Sequence, residues 1–194
     1  MKRIILSILT LCAFIPTYPQ SFNGVELSGT RAEFVRKYLN THPDAEIIWD
    51  MPERNSTMIR DFFLDYEVKI SIDKIIEDND NIHSLWFDIV IPSNFSWKDI
   101  TSCYENILLY FTTQYGAPHP YMQERKFEHP FDNGNHYGKE ISALKLEKCR
   151  YSDKIFINSK LLLDISIIHT YDSINPNVEY NAITVAILPR PSNF

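Results

Sequence analysis

Trp97-Lys98-Asp99-Ile100-Thr101-Ser102-Cys103-Tyr104-Glu105-Asn106-Ile107-Leu108-Leu109-Tyr110-Phe111-Thr112-Thr113-Gln114-Tyr115 is the stretch that decides the fold. Trp97, Ile100, Tyr104, Ile107, Leu108, Phe111 and Tyr115 recur at three- and four-residue spacing, which lines them up as one stripe of a helix at about 100° per residue. Ser96 stands where an N-cap belongs, with Asp99 in the first turn, and Gly116 and Pro118 supply the stop signals of a C-terminus. A stripe of this length has to be buried, and the flanking sequence supplies the surface.

On the N-terminal side, Val68, Ile70 and Ile72 alternate with Lys69, Ser71 and Asp73. Over Ile82–Ile91 the residues Leu85, Phe87, Ile89 and Ile91 share one parity. This period of two marks half-buried strands. Asp78-Asn79-Asp80-Asn81 between them is turn chemistry, so the pair reads as an antiparallel hairpin. Further strands are expected at Ile47–Asp50 and Met58–Tyr66. After the helix they return at Tyr151–Ile157, Leu161–His169 and Ala182–Leu188. An earlier helix opens at Thr30 and Glu33, a capping box in which each side chain satisfies the other's backbone N–H, and it ends near Asn40. Gly138–Leu146 reads as a short helix and Pro189–Phe194 as a frayed tail. The expected class is α+β, an antiparallel sheet packed by two main helices in helix–strands–helix–strands order. That order suggests two similar halves, although no residue-level repeat is visible.

Met1-Lys2-Arg3 followed by the apolar run Ile4–Ile15 reads as a secretory signal peptide; the run is short of the roughly 20 apolar residues of a spanning helix. The cut is placed near Gln20. Residues 1–20 are then leader and residues 21–194 a single α+β domain, exported to the periplasm or beyond. Loss of Lys2 and Arg3 takes the formal net charge from −6 to −8. Such a chain repels phosphate backbones and anionic lipid surfaces, which argues against nucleic acid or membrane docking by the folded part. The composition is ordinary for a globular chain, with 44% hydrophobic and 23% charged residues, and aromatics at 13% suit a strand-rich body.

The chain resembles a group of small exported proteins of Gram-negative gut anaerobes. Two segments carry the resemblance: Phe22-Asn23-Gly24-Val25-Glu26-Leu27-Ser28-Gly29-Thr30 before the first helix, and the Trp97-led helix ending in Tyr115-Gly116-Ala117-Pro118. The resemblance implies an α+β fold similar to the helix-plus-sheet repeats of secreted β-lactamase-inhibitor proteins. It assigns no catalytic residue, because the matched positions are a helix start and a helix stop.

Candidate sites are few. Cys103 and Cys149 remain after the leader. Two cysteines in an exported chain form a candidate disulfide, which would close a long loop for about 4 kcal/mol; simple burial as thiols is the alternative. Residues 117–137 read as a long polar loop, and loops of that length are often functional. His119, Tyr121, His129, His136 and Tyr137 are its candidate ligand residues. The histidines lack metal-site spacing, so no metal and no cofactor is expected. His83 and His169 sit on core parity in their strands, where a hydrogen-bonded strand end is favoured over a pocket base. Asp78 and Asp80 lack the rest of a calcium loop. Asp61, Asp65 and Glu67 leave paired-carboxylate chemistry open with little specificity. No nucleophile elbow, zinc-protease helix or phosphate loop is present.

Charge is distributed unevenly. Residues 44–80 hold eleven acids and four bases, whereas residues 139–160 hold six bases and three acids. The reading that follows is an exported, non-catalytic binding module with a basic protein as partner. The rival is a small periplasmic enzyme or carbohydrate binder that uses the 117–137 loop. Oligomeric state is left open.

Overall fold

The computed structural model describes residues 21–54, 56–74, 82–158, 161–172 and 175–189, with the backbone alone for 73, 74, 82 and 83. The leader, the Asp78–Asn81 turn, the tail beyond Pro189 and the His83 side chain lie outside the described residues.

The chain enters through a small hairpin, β1 (Ser21–Phe22) and β2 (Val25–Glu26), joined by Asn23-Gly24 with both residues at positive φ. Phe22 is buried, so the first described residues already belong to the core. Helix α1 (Arg31–Thr41) follows. Thr30 Oγ accepts the Glu33 N–H and the Glu33 carboxylate accepts the Thr30 N–H at 2.9 Å. Gly29 is at φ +81 beneath this box, where an added Cβ would stand 2.3 Å from the Glu33 carboxylate. Only glycine fits that approach without breaking the cap.

Strands β3 (Glu46–Met51), β4 (Ser56–Phe63), β5 (Tyr66–Lys74) and β6 (Ile82–Ile91) come next, followed by α2 (Trp97–Tyr115). After it come β7 (Glu124–Phe127), the short α3 (Glu140–Lys145), β8 (Cys149–Phe156), β9 (Leu161–Tyr171) and β10 (Glu179–Pro189). The last eight strands form one fully antiparallel sheet in the order β3-β4-β5-β6-β10-β9-β8-β7. The final strand therefore lies in the middle, between β6 and β9. The protein is α+β, as the sequence patterning indicates.

Alternation along the strands gives the sheet two unlike faces. Ile59, Phe63, Val68, Ile70, Leu85, Phe87, Ile165, Ile183 and Val185 point to one face and are buried there with Phe34, Tyr38, Ile100, Tyr104, Ile107 and Phe111 of the two long helices. At its centre Phe87 stands 4.4 Å from Phe22, 5.4 Å from Phe63 and 6.2 Å from Phe111, ring centre to ring centre. Both helices lie on this face.

Two expectations need correction. The single strand expected over Met58–Tyr66 is two strands meeting at Leu64-Asp65, with φ +50 and +66. Two consecutive left-handed residues make the two-residue hairpin that twisted antiparallel strands favour. Leucine hides the turn, because such turns are ordinarily marked by Asn, Asp or Gly. The 117–137 segment is also not a plain loop. It holds a 3₁₀ turn at Pro120–Met122 and the edge strand β7, whose residues Glu124, Arg125 and Lys126 carry no apolar alternation.

Candidate functional site

The face of the sheet that carries no helix among the described residues, the helix-free face, is the candidate site. Because side chains alternate, residues in cross-strand register form rows over this face. One row takes a residue from every strand: Glu46, Arg60, Lys69, Asp88, Thr184, Ser166, Ser152 and Glu124. Every member is polar. The adjacent row reads Trp49, Met58, Ser71, Trp86, Ala186, Asp164 and Lys154, and it places two tryptophans on the same face. On the other side of the polar row lie Phe62, which is 63% exposed, and the partly covered Val90 and Ile168. A polar band thus crosses the sheet, with Trp49, Met58 and Trp86 along one side and Phe62, Val90 and Ile168 along the other.

The band is internally matched. Arg60 pairs with Glu46, and Lys69 pairs with Asp172 while its ammonium sits 4.8 Å over the Tyr180 ring. Thr184 Oγ donates to Asp88 at 2.6 Å, and Lys154 meets Asp164 at 3.0 Å. Burial raises the Asp88 carboxyl above the usual carboxylate range, against the opposing pull of the Thr184 hydrogen bond and Lys69. Burial and the charges of Asp88 and Asp172 push the Tyr180 phenol up to about 12. A carboxyl with a raised folded pKa binds more protons in the folded state than in the unfolded one, so its ionisation weakens the fold as pH rises. Asp88→Asn is accordingly expected to raise the melting temperature at pH 7, and the difference from the native chain should shrink as pH falls toward 4. A gap that stays constant with pH would refute the assignment.

Under the opposite face lie two buried polar clusters that sequence reasoning missed. Tyr38 of α1 donates to Asp61 of β4 at 2.7 Å, and Tyr104 of α2 donates to Asp153 of β8 at 2.7 Å. Around Asp61, His42 Nδ1 lies at 3.1 Å, Asn23 donates to the Tyr38 hydroxyl at 3.1 Å, and His42 Nε2 meets the Asn23 carbonyl at 2.8 Å. Around Asp153, Arg125 forms an ion pair and Gln123 donates at 2.8 Å, while the Arg125 guanidinium stacks 3.9 Å over Tyr151. Burial and the neighbouring carboxylate raise both tyrosine phenols well above their usual range. A signal for the two acids was present: Asp61 shares parity with Ile59 and Phe63, and Asp153 shares parity with Ile155. The Asp61–His42 couple has the elements of an acid–base pair. Its second ring nitrogen meets the Asn23 backbone carbonyl, which fixes the imidazole against the entry hairpin.

The sequence-derived candidates separate in space. His119 donates its backbone N–H to Lys154 and packs its ring 5.1 Å from Phe156, with Tyr121 beside it and 91% exposed. His136 stacks at 4.1 Å on Phe127, with Tyr137 against its other side and 77% exposed. His129 stands out in solvent near Asp132. These five residues do not converge. The nearby depression of about 430 Å³ is lined by Ser96–Lys98 and Gly138–Ser142 instead. Among the described residues no three metal-ligating side chains meet.

Cys103 and Cys149 are buried free thiols, so the candidate disulfide is not formed. Cys103 faces the Tyr66 hydroxyl on β5, whereas Cys149 opposes Phe127 at the start of β8. Burial pushes both thiols up, Cys149 to about 11, which leaves them poor nucleophiles. His169 is held at its strand end by Asn181 and Glu179. Asp61 points into the core, Asp65 sits in a turn and Glu67 points to the helix-free face, so these three do not form a catalytic carboxylate pair. No described helix is long and apolar enough to cross a membrane.

Compared with known protein families, curated proteins and solved structures, the chain has no match.

Proposed function

We propose that this chain is an exported, non-catalytic module that binds a protein partner across the helix-free face of its sheet. The observation that carries the reading is the band of matched polar residues flanked by Trp49, Trp86 and Phe62. Aromatic anchors beside satisfied polar groups are the composition of recognition surfaces. Acids of the first half favour a basic partner. Asp50 is held by Arg31, Glu46 by Arg60 and Asp61 by Tyr38 and His42, which leaves Asp44, Glu53, Asp65 and Glu67 exposed. The rival reading on the 117–137 segment draws less support, since its aromatic residues divide between a His119–Tyr121 pair and a Phe127–His136–Tyr137 stack.

The two-halves reading belongs to the same proposal. Each long helix opens with a capping box, Thr30–Glu33 and Ser96–Asp99, and carries a tyrosine at the same distance from it. Each tyrosine donates to a buried aspartate on the second strand that follows. These matched positions support two similar units of one helix and four strands, which is also what the resemblance to helix-plus-sheet repeats implies.

The test is capture of envelope proteins by the immobilised chain, with graded salt elution. A basic protein that is retained by the native chain, lost with Trp86→Ala and weakened by Glu67→Lys with Glu53→Lys supports the reading. Retention unchanged in both variants overturns it. N-terminal sequencing of the chain recovered outside the cytoplasm should begin near Ser21; an intact leader on cytoplasmic protein would remove the export part.

A further inference from the structure

Leu64 is out of place in its own turn. The first central position of this hairpin holds the left-handed conformation, at φ +50, which is unfavourable for a side chain such as leucine relative to its preferred regions. Burial does not offset that cost, because Leu64 is 40% exposed. Across from it on α2, Leu109 is 65% exposed, although the helix has a well-buried stripe elsewhere. The two leucines stand over Tyr66 and Tyr110, with Asp65 and Asn106, around an open groove of about 580 Å³. Its floor is fixed from below, where the Tyr66 hydroxyl interacts with both Cys103 and Asn106. None of the lining residues is cationic, and Asp65 supplies an exposed carboxylate at the rim.

Strain held at an exposed apolar residue, beside a second exposed leucine, is what a contact site retains at the expense of the isolated fold. We propose that this groove seats a segment of a basic partner protein, with an apolar side chain between Leu64 and Leu109 and a lysine or arginine against Asp65. The inference rests on the protein-binding reading above and assigns it a second, smaller contact at the β4–β5 hairpin. The exposed Asp65 carboxylate, with no cation in the lining to offset it, chooses a basic segment over an acidic or neutral one.

The probe is a synthetic peptide with a central leucine flanked on both sides by lysines, titrated into the ¹⁵N-labelled chain. Two controls replace its lysines by glutamates or its leucine by serine. Shifts at the amides of Leu64, Asp65, Asn106 and Leu109 are expected with the first peptide only, and they should weaken as salt is added. Leu64→Asn should raise the melting temperature by relieving the turn while weakening the peptide about tenfold, the loss expected when one apolar contact is removed. That opposite movement separates a lost contact from a damaged fold. Asp65→Asn should abolish the preference for lysine over glutamate. Absence of shifts overturns the proposal, as does a lowered melting temperature in Leu64→Asn. Shifts confined to Trp86 and Thr184 overturn the groove and leave the sheet-face reading standing. Concentration-dependent self-association that disappears in Leu109→Ser would make the occupant a second copy of this chain and equally overturn it.

Discussion

Asp153→Ala is expected to lower the unfolding free energy by about 3–5 kcal/mol, read as a fall in the urea midpoint at unchanged slope. The carboxylate is fully buried and serves three donors at once: the Tyr104 hydroxyl, the Arg125 guanidinium and the Gln123 amide. Its removal leaves a guanidinium half-buried against Tyr151 without its counter-charge and the Gln123 amide without this acceptor, while the Tyr104 hydroxyl keeps the Ile165 carbonyl at 3.1 Å, and the cost of such a loss lies mainly in what remains uncompensated. Domains of this size are stable by only about 5–15 kcal/mol, so the variant stands near the edge of folding. Two companions locate the cause. Tyr104→Phe should cost about 1–2 kcal/mol, the value of one buried hydrogen bond to a charge. Asp153→Leu combined with Arg125→Met should cost less than Asp153→Ala, because neither charge is then left alone. A loss under about 1 kcal/mol for Asp153→Ala would show that water reaches the cluster and replaces the carboxylate.

Phe87→Ala should cost about 3–5 kcal/mol, the range of large-to-small changes at fully buried aromatic positions. Phe87 joins the entry hairpin through Phe22, the β4 strand through Phe63 and the long helix through Phe111, so no single neighbour can move in to fill its space. Phe62→Ala provides the contrast. It lies one residue from Phe63 on the exposed face, and its stability change should stay within about 0.5 kcal/mol. Equal losses for Phe87→Ala and Phe62→Ala, measured by thermal or urea unfolding, would refute the assignment of the two faces.

How far the sequence discloses this fold varies by element, for physical reasons. The long helix is legible to the residue, since the Ser96–Asp99 box starts it and Gly116 ends it. Strand β6 is legible because its apolar alternation is uninterrupted. The Leu64-Asp65 turn is not, because leucine stands at its first central position and no Asn-Gly or Asp-Gly pair announces it. Strand β7 is not, because an edge strand with one neighbour needs little apolar surface and this one is largely charged. The candidate site is the least legible part. Its rows are made by register between residues far apart in the chain, as Asp88 and Thr184 are at a separation of 96, and no local pattern encodes that pairing.

The position of β10 governs how the molecule comes into being. The strand that follows all its sheet partners in the chain fills the middle of the sheet, so until residues 179–189 emerge, β6 and β9 each present a naked, isoleucine-rich margin. Closure must wait for contacts spanning half the chain, which makes assembly slow and the nascent polypeptide adhesive. A stop codon before Glu179 would remove the joint between two incomplete sheets and favour aggregation over a smaller soluble product.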